Sequence, residues 1–223
     1  MAQSSVHSGI AAPSPREAAK EAREALYRDH ILAVAETVFG QEGYEGAKVQ
    51  DISRLSELSM GSIYALFPGK EQIFAAIMEK RRAEFLHIIQ AHTAQFAEPL
   101  ACLEALSRAF IEYFHSHRDF LRMQLRLGAA WASSQNPANS PAGSEVAREI
   151  HQLQVGIFKK GVELGVFIDE DPAYLETLFS GIDQIHLGHW LSHGGNESAE
   201  ELTASFLRII RRTFVRDRNQ EKE

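Results

Sequence analysis

Residues 43–71 read GYEGAKVQDISRLSELSMGSIYALFPGKE, and the reading of this stretch decides the fold. Two short helical segments, about Lys48 to Leu55 and Met60 to Phe67, are separated by a tight turn, with Ser59 placed to cap the second. Helices this short are not stable alone, since isolated ones need roughly 12–15 residues, so they must pack on a neighbour. Val49, Ile52, Leu55 and Leu58 on one side, and Ile63 and Phe67 on the other, supply that core together with Phe39. Three helices with a tight turn before the third form a helix-turn-helix, the geometry that offers a recognition helix to a major groove.

What the third helix leaves outside is informative. Ser59, Met60, Gly61, Ser62 and Tyr64 stand at its N-terminal end, where base-edge contacts are made. Gly61 lets the backbone approach closely, Ser59 and Ser62 offer hydroxyls, and Tyr64 carries one on a rigid arm. Lys70 opens the following helix, whose first N–H groups also favour a phosphate. A helical hairpin that merely completed a core would not expose such a set. Lys48, Arg54 and the bases of the first helix are weaker cases, because surface charges are ordinarily just solvated.

Working outward, nearly every segment repeats its apolar residues at three and four, so the chain reads as all-α with nine helices. The first spans about Arg16 to Glu42 with a stripe of Leu26, Ile31, Ala35, Val38 and Phe39, and Gly43 stops it. Pro68-Gly69 precedes a helix from Lys70 to about Phe96, and Pro99 opens the next. Further helices are expected over about 118–133, 144–164, 172–193 and 198–215, with 134–143 as a polar loop. The division expected is a disordered tail over 1–15, a DNA-binding head over 16–69 and a body over 70–223.

The net charge of −7 argues at first against nucleic acid, but only −1 of it falls within residues 1–82. The acidic body is expected to face away from the duplex, since local charge at the phosphates is what matters. The single cysteine, Cys102, excludes an internal disulfide framework. No apolar stretch reaches about 18 residues without a charge, so no membrane partner is expected. The uncharged N-terminus lacks the features of a signal peptide, which points to a cytoplasmic protein. No Gly-x-Ser-x-Gly elbow, phosphate loop or HExxH is present, and the chain is not read as an enzyme; no cofactor is expected.

The run Ile31-Leu32-Ala33-x-Ala35, Phe39, Gly43-Tyr44, Val49-x-x-Ile52, Leu58-Ser59-x-Gly61-Ser62-Ile63-Tyr64-x-x-Phe67-x-x-Lys70-Glu71-x-Ile73 resembles the tetracycline-repressor-like (TetR) regulators. The resemblance implies a nine-helix homodimer, usually a repressor that a small molecule releases from a palindromic DNA operator. It places Gln50, Ser59, Met60, Gly61, Ser62 and Tyr64 on DNA-facing positions, and Lys70 on the phosphate-contacting lysine. Three departures stand out. Ala47-Lys48 replaces the usual Thr or Ser cap of the second helix, Glu57 holds a turn position often given to glycine, and Leu66 replaces a frequent His or Tyr.

In the body, Phe110, Tyr113, Phe114, Phe120, Met123, Trp131 and Phe158 are interleaved with His117, Gln124, Arg126 and His151. An apolar cavity with a few directional polar groups suits a small-molecule effector, and the family places one among these helices. Tyr113, His117, Gln124 and His151 are the preferred polar candidates; core filling is the plainer role for any single aromatic. The last two helices are apolar on more than one side, which implies a second partner. Phe179, Ile182, Ile185 and His189, with Leu202, Phe206, Ile209 and Ile210, are therefore expected at a dimer interface. His186, His189 and His193 lie within one stripe, which suits an interface more than a metal, although a zinc- or pH-responsive regulator is the alternative.

Overall fold

The computed structural model describes residues 14–127 and 144–217, and nine helices run through them. Residues 1–13 of the tail expected over 1–15, the polar loop over 134–143 and the end of the sixth helix lie outside the described residues. Helix α1 (Pro15–Gly46) opens on a capping box, in which Ser14 Oγ accepts from the Glu17 N–H and the Glu17 carboxylate accepts from the Ser14 N–H. It therefore begins at Pro15, one residue earlier than the sequence suggests. Gly43 breaks it with φ 75°, as expected of a stop, and one further turn runs to Gly46.

The first half of α1 projects from the rest, so Leu26, expected in the apolar stripe, is 68% exposed, and the buried stripe starts at Ile31. Next come α2 (Val49–Ser56), α3 (Met60–Leu66), α4 (Lys70–Thr93), α5 (Pro99–Ser116) and α6 (Arg118–Leu127). The chain closes with α7 (Glu145–Glu163), α8 (Pro172–Ser192) and α9 (Ala199–Phe214). Ser144, Asp171 and Ser198 each cap the helix that follows, and Pro99 and Pro172 occupy first-turn positions. An isolated antiparallel bridge, Phe167 to Val215, ties the loop after α7 to the end of α9.

One apolar core runs from head to body. In the head, Ile31, Ala35 and Phe39 of α1 meet Ile52 of α2, Ile63 of α3 and Phe67. Leu55 is not among them: at 50% exposure it faces outward, and Ser56 takes the inner position on α2. In the body, one aromatic cluster gathers Phe85, Phe110, Tyr113, Phe114 and Phe120. A second gathers Phe158, Phe167, Phe179, Phe206 and Phe214.

Head and body are joined closely. A Cβ on Gly40 would lie 2.9 Å from the Asp119 carbonyl, so α1 and α6 touch there through a glycine. Arg126 of α6 donates to the Gln41 carbonyl at 2.7 Å. Arg81 of α4 makes a bidentate pair with Glu36 of α1, at 2.7 and 3.0 Å, and reaches Glu84 at 2.7 Å. Burial alone would lower the Arg81 pKa, but these two carboxylates outweigh it and hold it above its usual value.

Candidate nucleic-acid interface and effector site

The turn between α2 and α3 is built from small polar residues. Ser53 Oγ donates to the Leu58 carbonyl at 2.6 Å, and His30 Nε2 meets the Ser56 carbonyl at 3.0 Å, closing the end of α2. Glu57 sits at φ 57°, ψ 22°, the left-handed region, which explains why glycine suits this position. Lys48 caps α2 with no side-chain bond, as the missing Ser or Thr implies. Ser59 caps α3 by accepting from the Ser62 N–H at 3.1 Å, and its hydroxyl lies 2.9 Å from that of Ser62.

With Ile63 and Phe67 buried beneath, Ser59, Gly61 and Tyr64 face outward, Tyr64 at 47% exposure. Lys48 and Gln50 are exposed on α2, while Ser62 and Met60 are half-buried and Met60 packs against the core. Lys70 has a second occupation. Its ammonium donates to the Tyr44 and Ala47 carbonyls at 2.6 and 3.2 Å and lies 4.5 Å above the Tyr44 ring. It thus fastens the start of α4 to the end of α1. Sequence reasoning passed over His30 and took Arg28 only as one of the solvated bases of the first helix, yet its guanidinium lies 4.4 Å over the Phe67 ring; both sit on α1 facing the short helices.

The expected effector residues divide. Phe110, Tyr113, Phe114 and Phe120 share one cluster, but Phe158 belongs to the other. The Tyr113 hydroxyl donates to the Arg81 carbonyl at 2.9 Å, with Glu84 3.2 Å away. Burial, and then the Glu84 charge, raise its pKa above the usual phenol range. His117 Nδ1 meets the Tyr113 carbonyl at 2.8 Å and ends α5. His151 is half-exposed, 3.3 Å from Glu176. Trp131 lies outside the described residues. Among the polar candidates only Gln124 is buried with an unfilled atom, Oε1.

Two further unfilled groups went unnoticed in the sequence. Both oxygens of Asp183 and the Nε1 of Trp190 are buried without a hydrogen-bond partner. The available signal was a lone carboxylate one turn from Phe179 and one from Leu187 on an apolar stripe. Burial, then the Glu176 charge, push the Asp183 pKa well above the carboxylate range. Separately, a cavity of about 840 Å³ opens between α1, α4, α6 and the start of α7, lined by Phe39, Tyr44, Phe74, Met78, Met123 and Arg126 among others. Of the body residues singled out in the sequence, Met123 and Arg126 line it, whereas Phe110, Tyr113, Phe114, His117, Phe120, Gln124, His151 and Phe158 do not.

The expected dimer residues also divide, and half of them are corrected. Phe179, Leu202, Phe206 and Ile210 are buried within the chain's own core, Phe179 and Phe206 in the ring cluster with Phe158, and so offer no surface to a partner. Part of the wide apolar arcs of α8 and α9 is taken up within the chain, where α8 packs on α7 and α9 on α5. Ile182, Ile185 and His189 of α8 and Ile209 of α9 remain on the surface, Ile185 at 73% exposure. The histidines do not act together: His186 turns to the Leu202 carbonyl and Ser205, while His189 and His193 stack with rings 4.0 Å apart. Among the described residues no three His, Cys, Asp or Glu gather as a metal site. No described helix is long and apolar enough to cross a membrane.

Residues 31–77 match the family described as bacterial regulatory proteins, tetR family, and residues 96–214 match the tetracyclin repressor-like C-terminal domain. The chain is 30% identical over 142 residues to the HTH-type transcriptional repressor NicS of Pseudomonas putida, covering 62% of each chain, so it spans about three-fifths of that repressor. Among solved structures, the ketosteroid transcriptional regulator KstR2 of Mycobacterium tuberculosis superposes with TM-score 0.70 at 21% identity, over 85% of this chain and 95% of that one. A putative transcriptional regulator from Saccharomonospora viridis in complex with choline superposes with TM-score 0.66 at 18% identity, over 86% and 100%. The helix-turn-helix at the front, the nine-helix order and both matched segments agree, and the chain belongs to the TetR family of transcriptional regulators.

Proposed function

We propose that this chain is a homodimeric repressor that binds a palindromic DNA operator and leaves it when the body takes up a small molecule. One observation carries the reading: α3 is a seven-residue helix held by a buried Ile63 and a serine cap, with Ser59, Gly61 and Tyr64 turned to solvent. A helix so short gains little from burying its outer face, so that face is free to meet base edges. Lys48 and Gln50 flank it on α2, and Lys70 stiffens the frame behind it.

The exposed Ile185, His189 and Ile209, with the half-buried Ile182 beside them, support a second copy docking on α8 and α9. Two-fold symmetry would then set the recognition helices roughly 34–36 Å apart, one turn of DNA. The effector's chemistry does not follow from the fold, because one protein of this shape is named a ketosteroid regulator and another is in complex with choline. It must be read from this chain's own interior.

The test is selection of duplexes from a random library by the full-length protein, followed by gel shift. A palindromic sequence bound in a salt-dependent manner is expected, with Tyr64→Ala weakening it by about tenfold or more. Failure to enrich any sequence would overturn the proposal.

A further inference from the structure

We infer that the body binds an organic cation, an apolar molecule carrying a protonated amine, with the Asp183 carboxylate as its anchor. The inference rests on the reading of the body as the effector-binding domain. Asp183 is 0% exposed and neither of its oxygens has a partner, although buried polar groups are otherwise almost always bonded. It lies on the inner face of α8, one turn from Phe179 and Ser180 and one turn from Leu187.

The nearby buried acid is already provided for. Ser180 donates to Glu176 Oε1 at 3.0 Å, and His151 stands 3.3 Å from Glu176 Oε2. Asp183 has no such support, and the charge that acts on it is the negative one of Glu176. The charged side chains beyond have other places: Arg118 lies over the Trp190 ring at 4.8 Å and Arg211 pairs with Glu104 at 2.6 Å. Two acids share one buried face with no bonded base at Asp183, so on its own Asp183 stays protonated, and a cation arriving there would take the place of that proton. An anion would be repelled there, and a neutral ligand would leave the carboxylate either unpaired or protonated.

A protonated amine meets the requirement directly. It brings up to three N–H donors, two of which the Asp183 oxygens would take; among the described residues Gln124 Oε1 is a further buried acceptor left unfilled. The rings of Phe85 on α4, Phe110 and Phe114 on α5 and Phe120 on α6 belong to the same apolar core as Phe179 and Leu187, the neighbours of Asp183 on α8. Specificity would come from the buried acceptors, which reject an isostere lacking the donors.

The experiment uses the full-length protein and three compounds with one carbon skeleton: 4-phenylbutylamine, 4-phenylbutanol and 4-phenylbutyrate. Titration calorimetry and thermal unfolding report binding, and gel shift on the selected operator reports DNA affinity independently. The amine is expected to raise Tm and to bind about thirtyfold or more tighter than the alcohol, with no shift from the carboxylate. Asp183→Asn is expected to remove most of that preference while retaining operator binding. If the alcohol or carboxylate binds as tightly as the amine, or none of the three binds, the inference is overturned. The amine-to-alcohol comparison on the unaltered protein decides this even where Asp183→Asn folds poorly. Loss of operator recognition with the amine preference intact would instead sink only the repressor reading.

Discussion

Breaking the Arg81–Glu36 pair should destabilise the protein far more than removing both partners together. Arg81 grips both Glu36 oxygens, at 2.7 and 3.0 Å, and their side chains are only 18% and 10% exposed. Arg81→Met leaves the Glu36 charge buried and unpaired; Glu36→Leu does the same to most of the guanidinium. Each single change should cost about 3–5 kcal/mol. The Glu84 arm adds little, about 0–1 kcal/mol, because its carboxylate is 37% exposed and turns readily to water. For a chain of this length the loss corresponds to a Tm lower by about 6–20 °C. The double variant, with two apolar side chains in place of the pair, should return close to the parent. Urea unfolding of all four proteins at one protomer concentration gives the coupling energy directly. Single variants that each lose less than about 1 kcal/mol, or a double variant as weak as the sum, would refute the reasoning.

Three further outcomes follow from particular residues. Glu57→Gly should stabilise by about 0.5–1 kcal/mol in urea unfolding, because glycine adopts the left-handed conformation at φ 57° without a Cβ clash. The unfolded chain releases the Asp183 proton in the ordinary carboxylate range while the folded protein holds it above that range. Its contribution is therefore full below the unfolded pKa and should fall by about 1.4 kcal/mol per pH unit as pH rises through the window up to the raised folded pKa. Urea midpoints of Asp183→Asn should lack this slope; parallel profiles would dismiss it. Ile185→Lys, placed on the most exposed apolar position of α8, should turn the dimer into a monomer in sedimentation, and an unchanged dimer would move the interface elsewhere.

Much of the head was legible because its signals are local. Ser59 as a cap, Gly43 as a stop and the short spacing from Ile52 to Ile63 each act within a few residues, and each stands where expected. Leu55 and Leu26 were misplaced for one reason: a 3.6-residue stripe shows which face is apolar, not where the neighbouring helix ends. The body failed differently. Phe179, Leu202, Phe206 and Ile210 looked like an external surface because a second stripe does not say which copy of the chain covers it. Lys70 was read as a phosphate contact, and nothing local in the sequence reveals that the Tyr44 and Ala47 carbonyls also lie within its reach. Asp183 escaped notice because a carboxylate on a helix is ordinarily solvated, and only packing makes it an exception.

The contact through Gly40 bears on how the molecule comes apart. Ile73 and Ile77 of α4 are buried in the same apolar core as Ile63 and Phe67, and the Asp119 backbone rests against α1 where a side chain would keep it away. The first 69 residues therefore lack the means to close their own interior, and a fragment cut there should not hold a fixed shape. Head and body would melt as one cooperative unit. Amide protons of α2 and α3 would then exchange more slowly when a ligand tightens the body, although none of them touches it.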